Sequence, residues 1–185
     1  MIVSQKHKAG VTLMEVMAVV AIMGILSGLG VAGLRSAVAN ARIKDAAYNV
    51  TAFMERTANE ARRMNTTLCV VKEDAQTLAT YKGPCSEANG TGKSGLTKVD
   101  ELILESPNKI LDDGEVTASA TLGGVNLVTN GAEFTPRQGL SAAPFRGFIA
   151  VQYGGDGRYG AAAKVSTKNA FVPMLKYDDG SWSKL

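Results

Sequence analysis

The chain has 185 residues, 45% of them hydrophobic and 20% charged, with a net charge of +3 and two cysteines. That length holds one membrane segment and one modest soluble domain, and it excludes a large multi-domain architecture. The one histidine, His7, lies near the N-terminus and leaves the rest of the chain without an imidazole for general-base work or metal ligation.

Residues 1–10 carry Lys6, His7 and Lys8 and end in Gly10. From Val11 to Leu34 runs an apolar stretch of 24 residues in which Glu15 is the only charge. A helix of that length spans ~36 Å, enough for a hydrocarbon core of ~30 Å. A secretory signal has an apolar core of roughly 7–15 residues and then a small-residue cut. This run is longer and continues without a break into Arg35, so residues 11–34 predict a membrane-spanning helix. A central acidic residue costs about 2.5–3.5 kcal/mol on insertion scales. Glu15 therefore calls for a partner, or else for snorkelling to the interface. Gly24 and Gly28 form a G-x-x-x-G pair suited to close helix–helix approach.

The stretch Gly10-Val11-Thr12-Leu13-Met14-Glu15-Val16-Met17, continued by Ala21-Ile22-Met23-Gly24-Ile25-Leu26, resembles the class III leader junction of type IV pilins and type II secretion pseudopilins. The resemblance implies that a prepilin peptidase cuts between Gly10 and Val11 and that Val11 is then N-methylated. It implies an assembly role for Glu15, through the Val11 amine of an adjacent subunit. A free α-amine has a reference pKa of about 7.7–8.0 and is largely protonated at neutral pH. A buried ion pair is favourable mainly by contrast with an unpaired charge, so the pairing sets register rather than supplying net binding energy. The implied partners are other pilin or pseudopilin subunits, the peptidase, an inner-membrane assembly platform and membrane lipid. The implied location is the bacterial inner membrane, single-pass with the head in the periplasm or outside, and then a filament. No cofactor and no metal is implied. Two residues depart from the family pattern: Val11 stands where Phe is usual, and Ala32 where Pro is common.

Beyond Leu34 the helical pattern continues. Ile43, Ala47, Val50, Met54, Ala58 and Ala61 recur at three- and four-residue steps, and no Pro or Gly interrupts residues 34–64. The spacing predicts one helix from about Thr12 to Met64, with this stripe packed on a sheet.

Residues 66–185 read as short strands between turns. The candidates are Thr67–Val71, Thr77–Tyr81, Val99–Leu104, Glu115–Leu122, Val125–Val128, Phe148–Tyr153, Ala162–Thr167 and Phe171–Tyr177. Ser86 to Lys98 is polar and Gly-rich and reads as a loop. Cys69 and Cys85 form an even pair, which in an exported domain predicts one disulfide worth roughly 3 kcal/mol; the alternative is two free thiols. The chain thus divides into a leader (1–10), a transmembrane or filament-core helix (11–34), an amphipathic continuation (35–65) and a β-rich head (66–185). The expected class is α+β and pilin-like. Residues 57–71 and the segment Glu133-Phe134-Thr135-Pro136-Arg137-Gln138-Gly139, followed by Gly147 to Val151, are similar to the GspH/FimT-type branch of minor pilins.

Chemistry-bearing patterns are few. Gly90-Thr91-Gly92-Lys93-Ser94 has Glu87 where a phosphate loop needs its first Gly. Asp112-Asp113 and Asp178-Asp179 precede Gly and read as turns rather than paired catalytic acids. The charge balance turns acidic over residues 65–136 and basic over residues 137–185. Arg137, Arg146, Arg158, Lys164 and Lys168 lie among Phe145, Tyr153, Tyr159, Tyr177 and Trp182, a mixture that can bind nucleic acid. The alternative is a solvated sheet face with aromatics in the core. Some FimT-type pilins are thought to capture DNA, so the resemblance offers a second function, a DNA-uptake receptor at a filament tip. A third is a single-span membrane protein that is never assembled. None of the three is an enzyme.

Overall fold

The computed structural model describes residues 11–88, 96–112, 115–116, 122–141, 147–155, 157–176 and 180–185, without the side chains of Ala32, Glu87 and Ala88. The chain divides into two compact units, Met1–Val38 and Ala39–Leu185. Helix α1, Leu13–Met64, contributes to both.

Every described side chain from Val11 to Leu34 is exposed, so among the described residues the first part of α1 has no apolar cover. It is long and apolar enough to cross a membrane. The second part behaves differently. Ile43, Ala47, Val50, Met54, Ala58 and Ala61 are all buried, as their spacing predicts, and Ala39, Ala46 and Phe53 join them. The helix stops at Asn65, whose φ of 49° is the left-handed value that Asn tolerates better than most residues. The Thr66 N–H then turns back to the Ala61 carbonyl at 3.1 Å, satisfying one of the last-turn acceptors.

The head contains two sheets. The first has the order β3-β2-β1-β6-β7, all antiparallel, from β1 (Leu68–Lys72), β2 (Thr77–Lys82), β3 (Lys98–Ile103), β6 (Ala132–Thr135) and β7 (Gly139–Leu140). The second has the order β11-β10-β9-β8-β4, from β4 (Asn108–Ile110), β8 (Gly147–Tyr153), β9 (Gly160–Thr167), β10 (Ala170–Lys176) and β11 (Trp182–Lys184). A short β5, Val125–Asn126, pairs parallel with the start of β8. Strand alternation sorts the side chains. Leu68 and Val70 of β1 and Ile149 and Val151 of β8 share a core with α1, whereas Cys69, Val71, Phe148 and Ala150 face the outer sides of their sheets.

The structure corrects three readings. Val125–Val128 is not one strand: after β5 the chain turns into a one-turn helix, α3 (Leu127–Asn130), because the Asn126 side chain caps the Val128 N–H at 3.2 Å. Ser86–Lys98 is not all loop: α2 occupies Cys85–Ala88 and β3 begins at Lys98, while residues 89–95 lie outside the described residues. Of Glu115–Leu122, the described residues Glu115, Val116 and Leu122 are not strand, and the rest lie outside the description.

Cys69 and Cys85 are disulfide-bonded, with Cα atoms 5.1 Å apart and a sequence separation of 16. The bond ties β1 to α2, and the Cys85 N–H is held by Glu133 of β6 at 2.9 Å. A Cys69→Ala/Cys85→Ala double variant should lose roughly 3 kcal/mol of stability. The check is its urea midpoint against wild type; an unchanged midpoint would count against this role.

Candidate functional site

The N-terminal end of α1 is built locally. Thr12 stands just before the helix, and the Glu15 N–H donates to both the Thr12 Oγ1 at 3.2 Å and the Thr12 carbonyl at 3.1 Å. Thr12-Leu13-Met14-Glu15 is therefore the S/T-x-x-E arrangement of a helix start, with Thr12 as cap and Glu15 at the third helical position. A carboxylate in the first turn also suits the positive end of the helix dipole. Glu15 is exposed, as are Val11, Leu13, Met14 and Met17 around it. So the helix start fixes the backbone under Glu15 but gives its charge no buried partner among the described residues. The T-x-x-E pattern is a local signal of a helix start, overlapped in the sequence by the apolar run that begins at Val11. Gly10, the first half of the expected cut, lies outside the described residues.

Residues 5–31 match the prokaryotic N-terminal methylation motif. The chain carries a type IV pilin-like prepilin motif, and the long apolar helix with its antiparallel head is a pilin-like α+β layout. Together the motif and the helix suggest a membrane-anchored, pilin-like chain, and the family that carries this motif is a structural one. Comparison with curated proteins and with solved structures finds no match to either.

In this pilin-like chain the basic residues singled out from sequence do not converge. Arg137 sits in the β6–β7 turn and Lys168 in the β9–β10 turn. These two turns meet, since the Leu140 N–H bonds to the Lys168 carbonyl at 2.7 Å. Lys164 lies four residues back along β9, ~13 Å away. Arg158 is at the opposite end of β9, about 26 Å along the strand, with its guanidinium 5.7 Å from the Tyr159 ring centre. Arg146 lies outside the described residues, as do Phe145 and Tyr177. Tyr153 and Tyr159 pack edge to face at 6.3 Å, and both are half-buried.

Among the described residues no group of three or more His, Cys, Asp or Glu side chains gathers to hold a metal ion. The perturbed groups are surface pairs. Hydrogen bonds from Lys98 to Glu101 and Glu73 hold its ammonium above the usual lysine range. The hydrogen bond to Glu73 likewise raises the Tyr81 phenol. These contacts brace the outer side of the first sheet near the disulfide, where Tyr81 packs with Cys69 and Cys85. They resemble a structural clamp more than a reaction centre.

Proposed function

We propose that this chain is a minor pilin or pseudopilin of the GspH/FimT type, a subunit of a type IV pilus or a type II secretion pseudopilus. The observation that carries the reading is the methylation motif over residues 5–31, set on a helix whose apolar face is exposed along its whole first part. An exposed apolar helix of this length needs lipid or other helices around it. A filament built from copies of such helices supplies the second environment after the membrane has supplied the first. On this reading prepilin peptidase cuts between Gly10 and Val11, Val11 is N-methylated, and an inner-membrane platform moves the subunit from lipid into the filament. Glu15 and the new amine of a neighbouring subunit then set the register between helices.

The minor-pilin assignment rests on the sequence of the segment from Glu133 to Gly139, which resembles that branch and forms β6 against β1, a turn and the start of β7 against β6. The wide spacing of Arg158 from Arg137 and Lys168 gives no single basic surface, so the filament role is preferred here to nucleic-acid capture.

Cleavage is tested by mass. Intact mass of the purified wild-type chain should fall by residues 1–10 and rise by one methyl group. Gly10→Val should retain the full precursor mass. A Gly10→Val chain that is still cut at Val11, or a wild-type chain that keeps residues 1–10, would sink the proposed processing.

A further inference from the structure

A groove runs between α1 and β3, the edge strand of the first sheet. Two arginines of α1 bridge it: Arg56 meets Asp100 at 2.5 Å, and Arg42 donates to the Ser106 carbonyl at 3.0 Å. Each bridge sits in a separate lobe. The first, about 220 Å³, has Leu68 and Val99 as apolar walls, with Thr57 and Thr80 beside them. The Thr57 hydroxyl already donates to the Phe53 carbonyl and lies 3.3 Å from the Thr80 hydroxyl, so this lobe offers an apolar surface with its polar groups satisfied. The second lobe, about 180 Å³, is lined by Ala46, Ile103 and Leu104 and by the side chains of Arg42, Asp45, Asn49, Glu105 and Asn108, with the Asn49 amide already donating to one oxygen of the Asp45 carboxylate at 3.2 Å.

Asn108 is the telling residue. It is only 4% exposed, and its Oδ1 is buried with no hydrogen-bond partner. A buried amide oxygen without a donor costs about 1–3 kcal/mol, so it marks a place where a donor is missing. Two carboxylates, Asp45 and Glu105, line the same lobe. Apolar walls with an acidic, acceptor-rich interior fit a long basic side chain, whose methylene stem lies on apolar surface while its charged head finds acceptors. A bare divalent cation fits less well. It requires six to eight oxygens at close range, more than this lining offers, whereas the Arg42 guanidinium is turned to the Ser106 carbonyl and the two carboxylates leave one net negative charge for a basic head.

The strand beside the lobes is an edge: among the described residues β3 pairs with β2 on one side only. The Glu101 N–H turns away from β2 and is taken by the Asp100 carboxylate at 2.9 Å, while the Leu104 N–H turns inward to the Gln76 carbonyl at 2.9 Å. Alternation places the Ile103 backbone on the outward side, and its side chain is 64% exposed. An exposed apolar residue on an unpaired strand edge is a template for another strand. Asp100 of the first lobe and Leu104 of the second lie four residues apart, ~13 Å along a strand. Two same-face residues of an added strand, spaced i and i+4, reach both lobes.

We propose that the α1–β3 groove binds an extended segment of a partner protein by strand addition to β3. An apolar side chain fills the first lobe, and a lysine or arginine four residues on fills the second, donating to the Asn108 Oδ1 between Asp45 and Glu105. This surface lies wholly within Ala39–Leu185 and holds whether or not the chain is a filament subunit.

The test uses the full-length protein in detergent micelles and two dansylated peptides. One is dansyl-Thr-Val-Thr-Thr-Thr-Lys-Thr-amide, labelled at its N-terminal amine, and the other carries norleucine in place of lysine. Fluorescence anisotropy should show the lysine peptide binding at least about tenfold tighter, one charge-assisted hydrogen-bonded contact's worth. Glu105→Gln and Asn108→Leu should each bring the two peptides close to equal affinity. Ile103→Pro, which removes an outward N–H from an edge position that tolerates Pro, should abolish binding of both. Glu105 is exposed, so its variant keeps the test decisive if Asn108→Leu unfolds. Equal affinity of the two peptides for the wild-type protein, or no binding of either, overturns the proposal. So does calcium chloride alone raising the unfolding temperature and displacing the lysine peptide, which would assign the second lobe to a divalent cation.

Discussion

Glu15→Gln should be cleaved and methylated like the wild-type chain yet fall by roughly a hundredfold in the sheared filament fraction relative to the membrane fraction. The substitution is chosen for what it preserves. Glutamine is accepted at the third position of an S/T-x-x-E/Q helix start, so the Thr12 contact to the backbone of residue 15 at 3.2 Å should survive. Shape and helix start are kept, and the negative charge is lost. If Glu15 only helps begin α1, the variant assembles normally. If the carboxylate meets a neighbour's amine away from water, removing it leaves a buried ammonium alone. Breaking such a pair from one side costs about 3–5 kcal/mol, more than a hundredfold in an equilibrium. Immunoblots of the two fractions from cells carrying the assembly machinery read the ratio. Equal recovery of Glu15→Gln and wild type would remove the pairing role and leave only the helix start.

The second large effect lies in the head. Phe134→Ala should destabilise the chain by about 3–5 kcal/mol, the usual cost of truncating a fully buried aromatic side chain. Phe134 has no exposed surface and belongs to the core shared by α1 and both sheets. Its ring meets Phe171 of β10 edge to face, with centres 6.1 Å apart, so the two sheets are joined through this pair. A domain of this size has a net stability of about 5–15 kcal/mol. The loss is a large share of that and corresponds to a fall in melting temperature of roughly 6–20 °C. Trp182 is the single tryptophan, and its fluorescence on heating follows the unfolding of β11. A shift under 2 °C would mean that the sheets are held together elsewhere.

Much of the first part of this chain was legible because its signals are local. The run from Val11 to Leu34, its one carboxylate and the junction at Gly10 are contiguous in sequence. The buried stripe from Ile43 to Ala61 is equally plain, since a helix repeats its face every three to four residues and the period survives in one dimension. The longer strands β1, β2, β3, β8, β9 and β10 were found to within a residue or two for the same reason. The short ones were not. β4 and β11 have three residues each, and β5 and β7 have two, too few to show any alternation. β6 spans Ala132–Thr135 and was visible only as a family-like segment, since its neighbour β1 lies more than sixty positions earlier.

Sequence by itself determined that this protein has an apolar helix with one charge near its start, a prepilin-type methylation motif over residues 5–31 and a β-rich head behind it. Each of these is written in neighbouring residues. Only the tertiary structure decided the strand order of the two sheets, the meeting of the turns that carry Arg137 and Lys168, and the burial of Asn108 beside Asp45 and Glu105. These depend on pairings between residues far apart in the chain. The free energy of such contacts comes from burial and hydrogen bonding in three dimensions, and no local pattern encodes it.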